Sequence, residues 1–291
     1  MHEILAKQIL SSSNSMNLYR GCTHGCIYCD SRSTCYRMNH DFEDVAVKIN
    51  AVRLLEKTLS KKRRRCMIGT GAMCDPYLHI EKDLKLTRRC LKVIDYYNFG
   101  VGVLTKSDLV MRDIDIFASV NSKTKAVVQM TLTTFDDDLC RKIEPNVCPT
   151  SSRIKVLKEM NKVGIPTMVW LDPFLPFIND NAENIKNLLE ACLTVGVKGI
   201  MCFGVGVTLR DGSRDYFYCQ LDKHFPGIKE HYRKEFGNAY EIWSPYHKEL
   251  FSMIEETCRR YNLLYKPQDC FAWLSRFEDK KKSTQFELFG S

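Results

Sequence analysis

The sequence predicts an α/β fold in which short parallel strands alternate with helices, and three patterns indicate it. Apolar runs rich in β-branched residues recur along the chain, the segments between them carry apolar residues at intervals of three and four, and Gly100, Gly164 and Gly196 directly precede strand runs. The predicted strands are 66–70, 101–105, 126–132, 165–171 and 197–203, after a leading strand near 16–19. Such repeated units form a parallel sheet whose ligands bind at the carboxyl ends of the strands.

The predicted helices lie between these strands, and apolar residues mark their buried faces. The series are Val45, Ile49, Val52, Leu55 and Leu59; Leu86, Cys90, Val93, Ile94 and Tyr97; Leu109, Ile114, Phe117 and Ala118; Ile154, Leu157, Met160 and Val163; and Ile185, Leu188, Leu189 and Cys192. The alternation stops near residue 210. We therefore expect one domain over residues 1–210 and an aromatic-rich helical extension over 211–291, packed on it, with an amphipathic helix at about 245–261.

Composition and charge are those of an ordinary soluble protein. Of the 291 residues, 44% are hydrophobic and 27% are charged, and no apolar run reaches the roughly 20 residues of a membrane-spanning helix. The first residues lack the basic start and apolar stretch of a secretory signal, so we expect a cytoplasmic protein without membrane contact. The net charge of +8 is compatible with a nucleic-acid partner but does not indicate one.

Three of the fourteen cysteines form a compact motif, Cys22-x3-Cys26-x2-Cys29, directly after the leading strand. Thiolates at this spacing suit an iron–sulfur cube, and three ligands leave one of its four irons open to a small molecule. Gly21 and Gly25 would let the backbone wrap closely around such a cluster. An alternative is a structural zinc site in which Cys35 supplies a fourth thiolate, although the spacing departs from the usual paired arrangement.

The motif and its flanks resemble the radical S-adenosylmethionine (SAM) superfamily, and within it the spore photoproduct lyase-like branch, often called DNA repair photolyases. The matching residues are Asn17 to Gly21 with Cys22, His24, Gly25, Cys26, Tyr28 and Cys29; Gly69-Thr70-Gly71 with Asp75-Pro76-Tyr77; Thr105-Lys106-Ser107 with Arg112-Asp113; Glu144-Pro145; Gly164-Ile165-Pro166; and Pro173-Phe174 with Pro176, Asn179 and Asp180. The resemblance covers roughly residues 10–210.

This resemblance implies a partial (β/α)6 TIM-type barrel that binds a 4Fe–4S cluster and SAM at its mouth. A single electron, supplied by a donor of the flavodoxin or ferredoxin type, would cleave SAM to a 5′-deoxyadenosyl radical that abstracts hydrogen from the substrate. Cys22, Cys26 and Cys29 would bind the cluster. Carried over to this chain, the cofactor-binding residues would be Lys106 at the SAM carboxylate, Thr131 near its methionyl part, and Thr70 and Asp75 facing the same volume.

Cys74 lies beside Asp75 on the loop after the second strand, so it is predicted to face the site of the radical. The lesion-cleaving lyases use a cysteine from this part of the barrel to return a hydrogen atom to the product, and Cys74 is offset from it by a residue or two. Two other departures concern the substrate. Asp30 stands where the family usually has an aromatic residue, and the lesion-recognising tail of the true lyases is not recognisable after residue 210.

Three functions remain open on the sequence. The first is a radical SAM enzyme acting on nucleic acid, such as a thymine-dimer lesion. The second is the same chemistry on a peptide, a protein side chain or a small metabolite. The third is a non-catalytic metal-binding module built on Cys22, Cys26, Cys29 and Cys35. The basic run at 61–65 gives no support to the first, because it lies between a helix and the next strand, at the end of the barrel opposite the expected site.

Overall fold

The structure is a computed structural model that describes residues 1–280. Its strands are β1 His2–Ile4, β2 Ser15–Met16, β3 Tyr19–Arg20, β4 Ala46–Lys48, β5 Met67–Thr70, β6 Gly100–Thr105, β7 Ala126–Thr131, β8 Thr167–Trp170, β9 Gly199–Met201, β10 Gly206–Thr208 and β11 Glu241–Trp243. Its helices are α1 Ala51–Lys61, α2 Glu81–Leu84, α3 Leu86–Tyr96, α4 Ile114–Lys123, α5 Asp137–Ile143, α6 Thr150–Lys162, α7 Ala182–Val195, α8 Ser213–His224, α9 Ile228–Phe236, α10 His247–Arg260 and α11 Pro267–Ser275, with short 3-10 turns at Asp30–Arg32, Thr34–Tyr36 and Asp108–Asp113.

The centre of the molecule is a six-stranded sheet in the order β2-β5-β6-β7-β8-β9, and every neighbouring pair is parallel. Strand order follows chain order, so each helical crossover leads to the adjacent strand and the sheet curls into a barrel that is open between β2 and β9. Strand β7, near the middle, is buried along its whole length. The predicted α/β class and parallel sheet are confirmed.

The start of the chain departs from the prediction. The leading strand expected near 16–19 is two strands, because β2 joins the barrel while β3 pairs antiparallel with β4 in a separate sheet of order β1-β4-β3. The helix predicted from Val45 begins only at Ala51, since residues 46–48 are held between β1 and β3. Here the apolar residues keep a helical spacing across both a short strand and the helix that follows it. Pairing with the neighbouring strands decides the conformation of the first part, in place of the helix that the spacing predicts.

The remaining predicted helices are present with shifted ends. Helix α7 begins where the Asn181 side chain accepts a hydrogen bond from the Asn184 amide, and it ends at Gly196 with φ of 72°. The helix predicted through Leu109 starts as the 3-10 turn at Asp108–Asp113 and becomes regular at Ile114. Within residues 1–280, no helix is both long and apolar enough to cross a membrane.

The C-terminal part packs on the barrel and also contributes a strand. Helix α10 packs against α7, α11 packs against β9, and β11 pairs antiparallel with β10. Helices α8 and α9 form a second apolar core with the cysteine loop, in which Phe217 and Tyr232 lie near Cys26 and Tyr28. The division at residue 210 stays a prediction, and residues 281–291 of its second part lie outside the described residues.

Candidate active site

A cavity of about 520 Å³ opens at the carboxyl ends of the barrel strands. Its walls come from the cysteine loop, the loops that follow β5 and β6, the ends of β7 and β8, and the segment from β9 to β11. This volume lies in the range of small-molecule sites, and its position is the one that a parallel α/β barrel dictates.

The cysteine loop forms one wall, and Cys22, Cys26 and Cys29 all line the cavity. The loop turns at Gly21, whose φ is 90°, and a Cβ atom there would lie 2.5 Å from the Phe42 carbonyl oxygen. That carbonyl accepts the Cys22 amide hydrogen bond at 2.9 Å. Glycine is therefore required at position 21, because any side chain would displace the backbone at Phe42, which holds the first cysteine.

The outer face of the same loop is fastened to the segment between α5 and α6. The Ile27 amide donates to the Ile143 carbonyl at 2.9 Å, and Asn146 binds the carbonyls of His24 and Thr23 at 3.1 and 2.9 Å through its backbone and side-chain nitrogens. The loop is thus held on two sides, by the backbone at Phe42 and by residues 143–146, before any ligand binds.

Beneath the loop lies a buried charged network. The Tyr28 hydroxyl donates to Glu144, and Glu144 pairs with Arg153 at 2.6 Å, with both members of the pair fully buried. Burial favours the neutral acid, but Arg153 and Lys106 outweigh it and lower the pKa of Glu144. The sequence resemblance included Glu144 without a role. Arg153, nine residues later on α6, was not predicted, because a single arginine in a helical pattern is ordinarily interpreted as an exposed side chain.

Lys106 extends from the end of β6 into the cavity, with Nζ 5.9 Å from the centre of the Tyr28 ring. Burial alone would lower its pKa, but the neighbouring Cys26 and Glu144 raise it above the ordinary value, so the ammonium group stays charged. Within residues 1–280 this ammonium group makes no hydrogen bond or ion pair with another side chain. It is a cation in a largely enclosed site and is available to a carboxylate ligand.

Asp75 is occupied by the protein itself. Its Oδ1 accepts hydrogen bonds from the Tyr77 amide at 2.8 Å and the Thr105 hydroxyl at 2.7 Å, and its Oδ2 accepts the Lys106 amide at 2.8 Å. The carboxylate therefore ties the loop after β5 to the loop after β6 and fixes the backbone of Lys106. It reaches the cavity wall, as predicted, with most of its hydrogen-bonding capacity used.

The two threonines are placed differently. Thr131, at the end of β7, lines the cavity opposite the cysteine loop. Thr70, at the end of β5, is buried, its hydroxyl has no hydrogen-bond partner in the described part of the chain, and it is absent from the wall that this part forms. The structure thus brings seven of the eight predicted site residues to one cavity and leaves Thr70 behind its wall. Its cofactor role stays a prediction.

Cys74 lines the cavity with its thiol turned toward the cysteine loop. Its Sγ donates to the Gly21 carbonyl at 2.8 Å and also lies within hydrogen-bonding reach of Cys22. This contact lowers the pKa of Cys22 and, together with burial, raises that of Cys74. Cys74 therefore keeps its proton while Cys22 is the better thiolate.

The far wall is aromatic, and the sequence did not predict it. Trp170 and Phe203 lie 5.8 Å apart between ring centres, and Trp243 from β11 completes the wall. Phe203 and Trp243 remain 49% and 42% exposed. A Cβ at Gly204 would lie 2.5 Å from the Trp243 ring, so glycine there lets the indole approach. These rings come from segments 30 to 70 residues apart, and only the fold unites them.

Asp172 is a further lining residue without a predicted role. Its Oδ2 accepts a hydrogen bond from the Phe203 amide at 2.9 Å, but burial outweighs this contact and raises the pKa of Asp172 to about 8. At neutral pH the group is a protonated acid that can donate a hydrogen bond into the cavity. The sequence feature that could have pointed to Asp172 is the Asp-Pro pair directly after a predicted strand, at the end of the barrel where ligands bind.

This pKa predicts a pH-dependent difference in stability between the wild type and Asp172→Asn. The folded protein keeps the proton up to about pH 8, whereas the unfolded chain releases it near 3.9. The wild-type free energy of unfolding therefore falls relative to the variant's as pH rises between these values, by at most about 1.4 kcal/mol per pH unit. Urea unfolding at pH 5, 6, 7 and 8 measures it, and a constant difference would contradict the assignment.

The zinc alternative does not fit the geometry. One zinc ion needs its ligand atoms close together, whereas a cube spreads its ligands over separate irons. In residues 1–280 the one group of three metal-binding side chains with ligand atoms within 4.8 Å of one another is His2, His40 and Asp44, so the cysteines form no single-ion site. Cys35 is exposed and contacts Arg210 at 3.4 Å. The three thiols of the cysteine loop and the Lys106 ammonium group in one cavity fit a cluster and a carboxylate-bearing ligand.

Comparison with known proteins decides the family. The profile of the radical SAM superfamily matches residues 16–192, more than half of the chain. The chain belongs to the radical SAM superfamily. Both cofactors predicted from the sequence, a 4Fe–4S cluster and SAM, are confirmed with it.

Relatives of this radical SAM protein extend over most of its length. An uncharacterised protein of Mycobacterium tuberculosis is 26% identical over 277 residues, covering 90% of this chain and 81% of the relative. A radical SAM Nα-GlyT isomerase of Pseudomonas phage M6 is 23% identical over 175 residues, covering 60% of this chain and 35% of the relative.

Among solved structures, spore photoproduct lyase complexed with dinucleoside spore photoproduct has the same fold. The TM-score is 0.60 at 14% identity, and the match covers 89% of this chain and 77% of that one. The predicted partial barrel with a C-terminal helical extension, and the resemblance to that lyase, are confirmed at the level of the fold.

Proposed function

We propose that this radical SAM protein abstracts hydrogen from a substrate carrying a planar base, with a modified or damaged nucleobase as the first candidate. The observation that carries the proposal is the aromatic wall of Trp170, Phe203 and Trp243, which lines the same cavity as the cysteine loop. Stacking on exposed aromatic rings is a general way to bind bases. The dinucleoside in the structure of spore photoproduct lyase supports the same substrate class.

In this proposal Cys22, Cys26 and Cys29 hold the cluster, and the chain supplies position and charge around it. When bound, the reduced cluster and SAM supply a carbon-centred radical that can take hydrogen from a C–H bond. Lys106 binds the SAM carboxylate, and Asp75 fixes the Lys106 backbone. Thr131, which lines the cavity, would contact the methionyl part, and Thr70 stays a candidate for the same role.

The outer half of the cavity selects the substrate. Trp170 and Phe203 hold a flat ring, and the neutral carboxyl of Asp172 donates a hydrogen bond to an acceptor on that ring. The electron donor is proposed to be of the flavodoxin or ferredoxin type. The cytoplasm is the proposed compartment, as such a reduced cluster requires a reducing environment.

Replacing Lys106 with methionine should weaken SAM binding roughly 10- to 100-fold. The change removes a charge-assisted hydrogen bond worth about 1.5–3 kcal/mol, and the methionine fills much of the same space. Equilibrium dialysis of SAM on anaerobically reconstituted protein measures the effect. The matched control is Lys158→Met on the exposed face of α6, which should bind SAM as the wild type does. Equal affinities for both variants would show that Lys106 does not contact the cofactor.

Cys74 is proposed as the thiol that returns a hydrogen atom to the product. With the wild type in D2O, deuterium should enter the product at one carbon, because a thiol exchanges its hydrogen with solvent. Cys74→Ala should reduce that incorporation and give additional products, with Cys192→Ala, a buried cysteine on helix α7, as control. If Cys74→Ala leaves both the products and the label unchanged, the donor is another group.

The test of the function begins with the protein reconstituted anaerobically with iron and sulfide and supplied with dithionite and SAM. Formation of 5′-deoxyadenosine is expected, and its absence from cluster-loaded protein would overturn the proposal. Oligonucleotides containing ultraviolet-damaged or modified thymine are then screened for an increase in this product. Phe203→Ala should weaken binding of an active oligonucleotide by about 1–3 kcal/mol, whereas Tyr96→Ala, exposed on α3, should not. Stimulation by peptides or metabolites alone would favour the second class of substrate.

A further inference from the structure

A second metal-binding group lies outside the cavity, behind the cysteine loop. His2 on β1 meets His40 and Asp44 from the turn before β4, and one ligand atom from each lies within 4.8 Å of the others. All three side chains are partly buried and remain accessible to ions from solvent. The two imidazole rings are 4.9 Å apart at an angle of 82°, which places them edge to face.

His40 has the arrangement of a metal ligand. Its Nδ1 lies 2.9 Å from the Asp41 carbonyl oxygen, which can only accept, so Nδ1 carries the hydrogen and Nε2 carries the lone pair. That Nε2 is buried and has no hydrogen-bond partner among residues 1–280. A buried acceptor without a partner is costly, and a histidine that donates one ring N–H to a carbonyl while its other nitrogen is free is typical of metal sites.

His2 and Asp44 supply the other ligands. His2 Nδ1 lies 2.8 Å from Asp44 Oδ2, and the α-amino group of Met1 lies 2.8 Å from Oδ1. The carboxylate thus already attracts positive charge, and a cation at this place would take over that interaction. Two imidazole nitrogens and one carboxylate oxygen favour zinc over magnesium or calcium, which prefer oxygen alone.

We propose that His2, His40 and Asp44 bind one zinc ion, with water as the fourth ligand. The ion fastens β1 to the turn at residues 40–44. Within that turn, the Phe42 carbonyl accepts the Cys22 amide hydrogen bond at 2.9 Å, and His40 Cε1 lies 3.6 Å from the position of a Gly21 Cβ. Zinc therefore stabilises the backbone that presents the first cysteine of the cavity, at a site separate from the three thiols.

The test uses the full chain without a polyhistidine tag, because a tag would bind zinc itself. The cluster is assembled first, so that the three loop cysteines are occupied, and zinc is then titrated against a chromogenic chelator. One zinc per chain is expected, together with a higher thermal midpoint. A second preparation, in which Cys22, Cys26 and Cys29 are all alanine, should bind the same single zinc. Because this variant lacks the cluster ligands, its zinc binding is tested independently of the proposed function.

Variants assign the ligands. His40→Gln and His2→Gln should each weaken zinc binding at least 10-fold and abolish the rise in thermal midpoint. His224→Gln, at the end of α8, should change neither, because it replaces an exposed histidine far from the group. His2 is a surface residue, so its variant is expected to fold even if His40→Gln does not. No zinc bound in competition with the chelator, or equal binding by His2→Gln and His224→Gln, would overturn the proposal.

Discussion

Replacing Cys26 with alanine should prevent cluster assembly and lower 5′-deoxyadenosine formation by more than about 100-fold. Loss of a residue that merely supports a metal ligand costs about 10- to 100-fold, so loss of a ligand itself costs at least as much. Cys26 is the most buried of the three cysteines and lines the same cavity as Lys106. Burial raises the pKa of its thiol and the Lys106 ammonium opposes that shift, so the lysine favours the thiolate that iron requires.

The matched control for this change is Cys35→Ala. Cys35 belongs to the same region but is exposed, and its sulfur contacts Arg210 rather than the cavity. Iron and sulfide content per chain and the visible absorbance of the reconstituted protein provide the measurement. Cys35→Ala should equal the wild type. A full cluster in Cys26→Ala, or its loss in Cys35→Ala, would contradict the three-cysteine assignment.

Replacing Glu144 with glutamine should destabilise the protein by about 3–5 kcal/mol. The change preserves shape but leaves the guanidinium of Arg153 buried without its counter-charge, and an unpaired buried charge is among the costliest defects in a protein core. Tyr28 would also lose a charged acceptor, so the cysteine loop would be held less firmly. Chemical denaturation gives the free energy, and iron retention after dilution reports on the loop.

The control for this change is the exposed ion pair of Asp138 and Arg141, in which Arg141 Nη1 lies 2.6 Å from Asp138 Oδ1. Asp138→Asn removes a carboxylate from a similar contact in solvent and should cost less than about 1 kcal/mol. In the double variant Glu144→Gln with Arg153→Met, no unpaired charge remains, so a large part of the lost stability should return. Equal costs for Glu144→Gln and Asp138→Asn would show that the buried pair contributes little.

Local patterns predict the barrel well because its units are local. The runs at 101–105 and 126–132 correspond closely to β6 and β7, and the carboxyl ends of these strands carry the lysine and threonine that line the cavity. The same patterns fail at residues 45–49, where a three-residue strand is too short to show a period and owes its existence to partners on both sides. Whether two segments far apart in the sequence pair as strands depends on the folded structure as a whole and not on their local pattern.

The candidate site likewise has residues that the sequence predicts and residues that only the folded structure reveals. Cys22, Cys26 and Cys29 are predictable because their spacing is itself the signal. The aromatic wall is not, since Trp170 and Trp243 are far apart in the chain and common as core residues. Arg153 carries no local sign of burial, and its ion pair with Glu144 becomes visible only once the turn between α5 and α6 brings the two side chains together. Distant residues thus complete a site that a local motif begins.

The shared core of the cysteine loop and helices α8 and α9 has a consequence for biogenesis. Tyr28 and Cys26 gain their final neighbours only after residues 213–236 have left the ribosome, nearly 200 residues later. Iron delivery should therefore follow completion of the polypeptide. A ribosome-bound nascent chain ending near residue 212 is expected to take up no iron–sulfur cluster under conditions in which the released protein does.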